Sequence, residues 1–399
     1  MGLRRMFAAC RRVYPRGMTY ARARLWLGIS GVGLQVVAAC VALYFGLPVK
    51  MLRGHADLVA VCSVLAVYVL LSIPSDLLGG YYLPRVHGRS GISVSQFAAG
   101  WARGVLAQAF VVGLSAAALL GAGRLGGVWA GVGAFFVVMV LLLAVQGLVA
   151  RLVAGFKCLA VGAGAASGGA TLMLPPTGAP IAVAASAFSS SDPGFVGGLV
   201  GLPGMEHLVI PERWFAELPA EVLKAEMTRR QGVLETGART RGIFVALFWN
   251  VLGFALALHM PGASLMDAAG LVQAGLWFTL WSFAGLLLLP SVTKPGVLEA
   301  DQFALAHGVS AETLAAMISR LDGLQDDEPT RGRWVERVFH PIPSVNARLA
   351  ALRGSETHYG AWQGARVTLY LSWACFGFLS RAVHCNAGRP ELWVLFPGD

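Results

Sequence analysis

The chain is poor in charge. Only 13% of its 399 residues are Asp, Glu, Lys or Arg, about half the ~25% usual in soluble globular proteins. With 56% of the residues hydrophobic, that scarcity argues against a large water-soluble core. Acidic residues are scarcer than basic ones: 21 Asp and Glu stand against 31 Lys and Arg, a net charge of +10. Paired cysteines are missing. No two of Cys10, Cys40, Cys62, Cys158, Cys375 and Cys385 form a C-x-x-C, which argues against a disulfide framework and fits a reducing face. Paired histidines are missing too. Among His55, His87, His207, His259, His307, His340, His358 and His384 no two lie four apart, so no helix can offer the two imidazoles of an H-E-x-x-H zinc site.

What the chain has instead is a series of apolar runs. About 20 such residues suffice for a membrane-spanning helix, and seven spans are expected at 25–47, 57–78, 103–122, 127–150, 243–260, 271–290 and 366–384. Seven arginines between Arg4 and Arg24 come before the first run. That run is too long for a signal-peptide core, so an uncleaved anchor is expected. The start MGLRRM lacks the Ser or Thr of a myristoylation motif. Basic residues collect on the inner side of a membrane. This puts the N-terminus inside, with Arg85, Arg89, Arg151, Lys157, Arg213 and Lys224, and it puts the loop 261–270, which has no Lys or Arg, outside. Lys50 and Arg53 run against the pattern. The same flanking cations explain the net charge, and no nucleic-acid motif accompanies them, so the expected partners are membrane lipids and not nucleic acid.

Two polar stretches, 151–242 and 291–365, fall on the inner side. Only the hairpin 243–290 separates them, so they can form one domain. The expected division is 1–150 with four spans, 151–242 and 291–355 as domain halves, 243–290 as hairpin and 356–399 as last span and tail. The run VGAGAASGGATLMLPP has no Gly-Lys-Ser/Thr ending and breaks the G-x-G-x-x-G spacing, so it reads as small-residue packing and not as a nucleotide loop. Val309, Leu314, Met317, Ile318 and Leu321 predict a helix over 309–322, and Val345, Leu349 and Leu352 another over 344–353. Asn250, inside the fifth span, is expected to bond to another helix.

Four pieces, in order, resemble the membrane-bound zinc peptidases of the CAAX prenyl protease and heat-shock membrane protease type. PIAVAASAFSSSD carries Ser186-Ala187-Phe188 where the family has Asn-Ala-Phe. MEHLVIPERWFAELPAEVLKAEMTRRQGV is similar, without a gap, to the family's strand and the helix leading into its zinc motif. PSVTKPGVLEADQFALAHG carries Ala300 and Asp301 of the family's E-x-x-A-D, and FHPIPSVNARLAAL carries His340, Pro341 and Arg348 of its closing element. The resemblance implies a mainly α, polytopic membrane protein of about seven spans. It also implies a zincin-like, helix-rich domain with a small β hairpin or sheet on the inner face.

The resemblance also implies a degenerate site. Arg229 and Val233 stand at the histidine positions, Arg230 at the general base and Val297 at the third ligand. None of these side chains can hold zinc or accept a proton near neutral pH. No metal or cofactor is therefore expected, although the family uses zinc. Asp301, His340 and Arg348 are the retained positions. Arg229 and Arg230 are expected, with Arg239 and Arg241, to anchor their helix at the membrane interface, ahead of binding an anionic group. Asp301 is expected to pair with Arg348 or Arg229. Glu226 and Glu235 are expected to be solvated or paired with Arg, His207 and Glu206 exposed, His340 structural, and Trp214 and Phe215 part of an aromatic belt.

The leading expectation is an inactive relative of membrane metalloendopeptidases in a bacterial inner membrane, with a cytoplasmic domain that binds membrane-protein or peptide segments. The alternatives are an active peptidase with a non-standard site and a membrane transporter or channel. Spans poor in buried charge argue against the last.

Overall fold

The computed structural model describes residues 18–161, 184–190, 192, 194–354 and 356–395, with only the backbone described for 157–161. The Gly- and Ala-rich run after Val161 therefore lies mostly outside the described residues.

Helix α1, Tyr20–Phe45, starts where the Thr19 side chain accepts from the Arg22 N–H and stops at Gly46, which is left-handed. Helix α2 covers Asp57–Asp76. It runs on through a π-helical turn, Leu77–Tyr82, and a last turn, Leu83–Val86. Helix α3, Val94–Ala144, opens with a reciprocal cap between Ser93 and Gln96. It breaks at Gly126 and Gly127, where Gly127 takes φ 70° and ψ −159°, a conformation only glycine adopts readily. The third and fourth expected spans thus meet end to end at a two-glycine joint. Helix α4, Gln146–Ala154, leads into the domain.

A four-stranded sheet follows, formed by β1 Lys157–Val161, β2 Ala184–Ser189, β3 Gly198–Val200 and β4 His207–Pro211 in the order β1-β2-β4-β3. β2 and β4 are parallel and the outer pairs antiparallel. Helix α5, Ala220–Glu235, then leads to the hairpin of α6, Ala238–Leu258, and α7, Ala268–Ala306. α7 is long because it leaves the bundle and continues into the domain, bringing Val297 and Asp301 against α5. The domain closes with α8 Ala311–Gln325, α9 Arg333–Phe339 and α10 Val345–Ala351. The expected helices 309–322 and 344–353 correspond to α8 and α10.

Five of these helices are long and apolar enough to cross a membrane: α1, the α2 stretch Asp57–Val86, α3, α6 and α7. Their outward faces suit lipid. On α3, Leu106, Phe110, Leu114, Leu125 and Trp129 are exposed, while Gly104, Gln108, Ser115 and Gly123 are buried. Its exposed side is as apolar as its buried side, unlike that of a soluble helix, which fits hydrocarbon and not water outside.

The seventh expected span, 366–384, takes a different form. It is helical only at its start, in α11, Gly364–Leu371, followed by a tight 3₁₀ turn at Ser372–Cys375. Phe376 and Gly377 then adopt positive φ, and the rest is irregular but for a 3₁₀ turn at Pro390–Leu392. The stretch is apolar because it lies inside the bundle. Residues 361–395 are buried apart from half-buried His384, Cys385 and Glu391. Irregular backbone at membrane depth is tolerated only when protein satisfies its polar groups, and the surrounding helices do so. Gln146 donates to the Val394 carbonyl at 2.9 Å, the Tyr370 hydroxyl donates to the Leu142 carbonyl at 2.8 Å, and Asn250 donates to the Thr368 carbonyl at 3.1 Å. The expected cross-helix bond of Asn250 is thus made, to α11. At Gly80 the backbone of this segment comes so close that a Cβ would lie 1.9 Å from the Gly388 oxygen.

Candidate functional site

Helix α5 buries apolar residues, among them Leu223, Met227 and Val233, but it buries charges beside them. Glu226, Arg229 and Arg230 are each 1–2% exposed. Desolvating these charges is unfavourable unless each finds partners, and the domain supplies them. Arg229 donates through Nε to Asp301 Oδ1 at 2.5 Å and through Nη1 to Glu226 Oε2 at 2.7 Å. Arg230 donates through Nε to the other Glu226 oxygen at 2.8 Å, and through its two terminal nitrogens to the carbonyls of Val209 and Val196 at 2.9 and 2.5 Å. Its guanidinium also lies over the Trp214 ring, 5.2 Å from the centroid. From α10, Arg348 grips Asp301 with a two-pronged contact, Nε to Oδ2 at 2.8 Å and Nη2 to Oδ1 at 2.7 Å.

The residues singled out from sequence therefore converge. Arg229 and Arg230 on α5, Asp301 on α7 and Arg348 on α10 form one buried network. Val233 and Val297, each 1% exposed, pack in the apolar cluster around it with Leu223 and Ala300. His340 stands apart from the network. Its ring faces His384 at 5.1 Å between centroids, and its Nε2 has no hydrogen-bond partner among the described residues.

Several sequence expectations need correction. Arg229 and Arg230 do not anchor a helix at an interface; they are interior, Arg229 paired with two carboxylates and Arg230 with one carboxylate and two carbonyls. Arg239 is interior as well, donating to the Leu199 and Gly201 carbonyls at 3.0 and 2.6 Å, while Arg241 chelates Glu299 at 2.7 and 2.6 Å. Trp214 is fully buried beneath Arg230 and belongs to no aromatic belt. His207 is half-buried, bonded to Ser186 Oγ at 2.7 Å, and burial followed by the Arg151 charge lowers its basicity. Asp301 pairs with Arg348 and Arg229 at once. Glu226 is paired with two arginines, while Glu235 accepts from Gln231 at 2.6 Å.

Three guanidinium groups (Arg229, Arg230, Arg348) face two carboxylates (Glu226, Asp301) here. Every carboxylate oxygen of this set already accepts from a guanidinium, and with three cations against two anions the set repels a further cation. Among the described residues no group of three or more His, Cys, Asp or Glu is placed to hold a metal ion. The arrangement suits neither zinc nor the proton abstraction that accompanies it.

Sequence reasoning missed a second buried ion pair. Asp76, at the end of α2, is 1% exposed and binds Arg381 of the C-terminal segment. It also accepts from the Trp101 indole at 2.9 Å and the Gly388 N–H at 2.8 Å. Arg381 in turn lies over the rings of Tyr68, Trp101 and Trp393. The signal was available: an aspartate inside an apolar run is a site that needs a partner. Beside this pair a cleft of about 390 Å³ opens between α3 and the end of β2. It is lined by Gln96, Trp101, Arg103, Ser190, Asp192 and Arg389, and its size falls within the usual range for ligand sites, about 300–1,000 Å³.

No family model matches the chain, and no curated protein matches it. Among solved structures, the crystal structure of S. mikatae Ste24p is similar in fold. It aligns with a TM-score of 0.62 over 78% of this chain and 79% of that one, at 12% identity. The likeness establishes a shared polytopic membrane architecture, with a helical bundle and a small sheet.

Proposed function

We propose that this integral membrane protein is a peptidase-like protein without hydrolytic chemistry. In this reading it binds membrane-protein or peptide segments, and its domain faces the cytoplasm of a bacterial inner membrane. The Ste24p-like fold and the four sequence pieces that resemble the CAAX prenyl protease family support the peptidase-like part. The Arg229–Asp301 contact at 2.5 Å carries the rest. It joins the first position of the family's zinc motif to the segment of its third ligand, through a guanidinium in place of a metal. Zinc would need donors where Arg229, Val233 and Val297 stand, and the neighbouring arginines would repel it. The residues present do not fit zinc. The polar cleft beside β2 is where a bound segment would lie, because it offers both charged and aromatic contacts.

The test is a metal assay joined to a hydrolysis assay. The purified chain, equilibrated with zinc and desalted, is expected to retain far less than one zinc per chain and to leave fluorogenic peptides uncut. Stoichiometric zinc with chelator-sensitive cleavage would overturn the reading.

A further inference from the structure

A second cavity lies between α8, the loop after α9 and the C-terminal segment. It measures about 40 Å³, room for roughly three waters at 10–15 Å³ each. Four arginines line it, and three of them have acidic partners. Arg331 takes Asp326 at 3.0 Å and Asp322 at 3.6 Å, Arg348 takes Asp301, and Arg389 takes both oxygens of Asp192 at 2.6 Å. Arg366 differs. It is 8% exposed, its Nη1 meets only the Cys385 sulfur at 3.3 Å, and its Nε has no partner among the described residues. A guanidinium cannot shed its charge, and a buried charge without a counter-charge is strongly disfavoured. His340, 4% exposed, lines the same cavity with its Nε2 unpartnered. Burial above all, with the Arg331 charge adding to it, lowers the basicity of this ring, and a neutral imidazole can still donate one N–H.

We infer that this cavity is a binding site for a small oxyanion, held by the Arg366 guanidinium and the His340 imidazole. The anion supplies a counter-charge that no side chain among the described residues gives Arg366, and an acceptor for the imidazole N–H. Asp322 and Asp326 face the same space, but Arg331 engages both, and the Glu328 N–H also binds Asp322 at 3.0 Å. Size limits the guest to something like inorganic phosphate or sulfate. Neither Arg229 nor Arg230 lines this cavity, so an anion here does not depend on whether the chain hydrolyses peptides.

The experiment uses the full chain in detergent micelles and titrates inorganic phosphate at constant ionic strength. Binding is read by calorimetry and by mass-spectrometric alkylation of Cys385, whose sulfur adjoins Arg366. Saturable one-to-one binding that slows Cys385 alkylation is expected. Arg366→Gln should weaken it about tenfold or more, as loss of a charge-assisted contact implies, and His340→Gln should weaken it less. Absence of saturable binding overturns the proposal. So does equal affinity in Arg366→Gln, or chloride binding as tightly as phosphate. If Arg366→Gln does not fold, phosphate protection of Cys385 in the native chain that weakens in His340→Gln supports the proposal, and absence of protection in the native chain overturns it.

Discussion

Asp301 binds two guanidinium groups with its two oxygens, and that double duty makes it the residue on which the domain is most exposed to damage. Removing one partner of a buried ion pair strands the other and destabilises by about 3–5 kcal/mol. Asp301→Ala strands both Arg229 and Arg348. It is therefore expected to lower stability by at least that range, measured by denaturant unfolding of the detergent-solubilised chain. A change of less than 1 kcal/mol would show that the network is not closed as described. At Asp322 the pH dependence has a definite sign. Burial first, then the Asp326 charge, pushes its carboxyl up to about 6 from the ordinary 3.8, against the pull of Arg331. The folded state thus holds this proton more tightly than the unfolded chain. The corresponding stability is present at low pH and lost as pH rises through about 6. Asp322→Asn keeps an acceptor for the Glu328 N–H and removes the titration. Its melting temperature, relative to the native chain, should climb between pH 3.8 and about 6 and then level off; a flat difference across that window would refute the assignment.

Among elements, α3 shows how a local signal can be read and still mislead. Two apolar runs with a gap near 123–126 predict two spans, and two helical lengths are what the chain makes. They join without a loop because Gly127 takes a left-handed, extended conformation that turns the axis. A residue with a Cβ is strained there by about 1–3 kcal/mol. Gly127→Ala is expected to destabilise by that amount, whereas Gly133→Ala, in the same helix with open space around its Cβ position, should be neutral or slightly stabilising. Equal effects in thermal unfolding would count against a conformational role for the joint. Helix α8 was legible because its apolar residues follow the helical period. The buried face of α5 was not, because Glu226, Arg229 and Arg230 are interior there beside Leu223, Met227 and Val233, and periodicity treats such charges as a solvated face.

At the scale of the whole molecule, the positive-inside pattern predicts a cytoplasmic domain and an outer loop between α6 and α7. Single cysteines introduced into a chain cleared of its own, at Ser264 and at Thr330, give the check in intact cells. A membrane-impermeant maleimide should label the first and spare the second. The reverse pattern would invert the topology.

The sequence alone determined a polytopic helical membrane protein, and the order of its motifs anticipated that α5, α7 and α10 meet. These follow from hydrophobic length, loop charge and motif order, which are properties of local segments. The fate of the charges was decided only by tertiary structure. An arginine reads the same in sequence whether it lies at an interface or is buried against a carboxylate 72 residues away, as Arg229 is against Asp301. The same holds for 366–384. Hydrophobicity reports that a segment avoids water but not whether lipid or protein replaces it, and here the helices around it supply the partners that lipid could not.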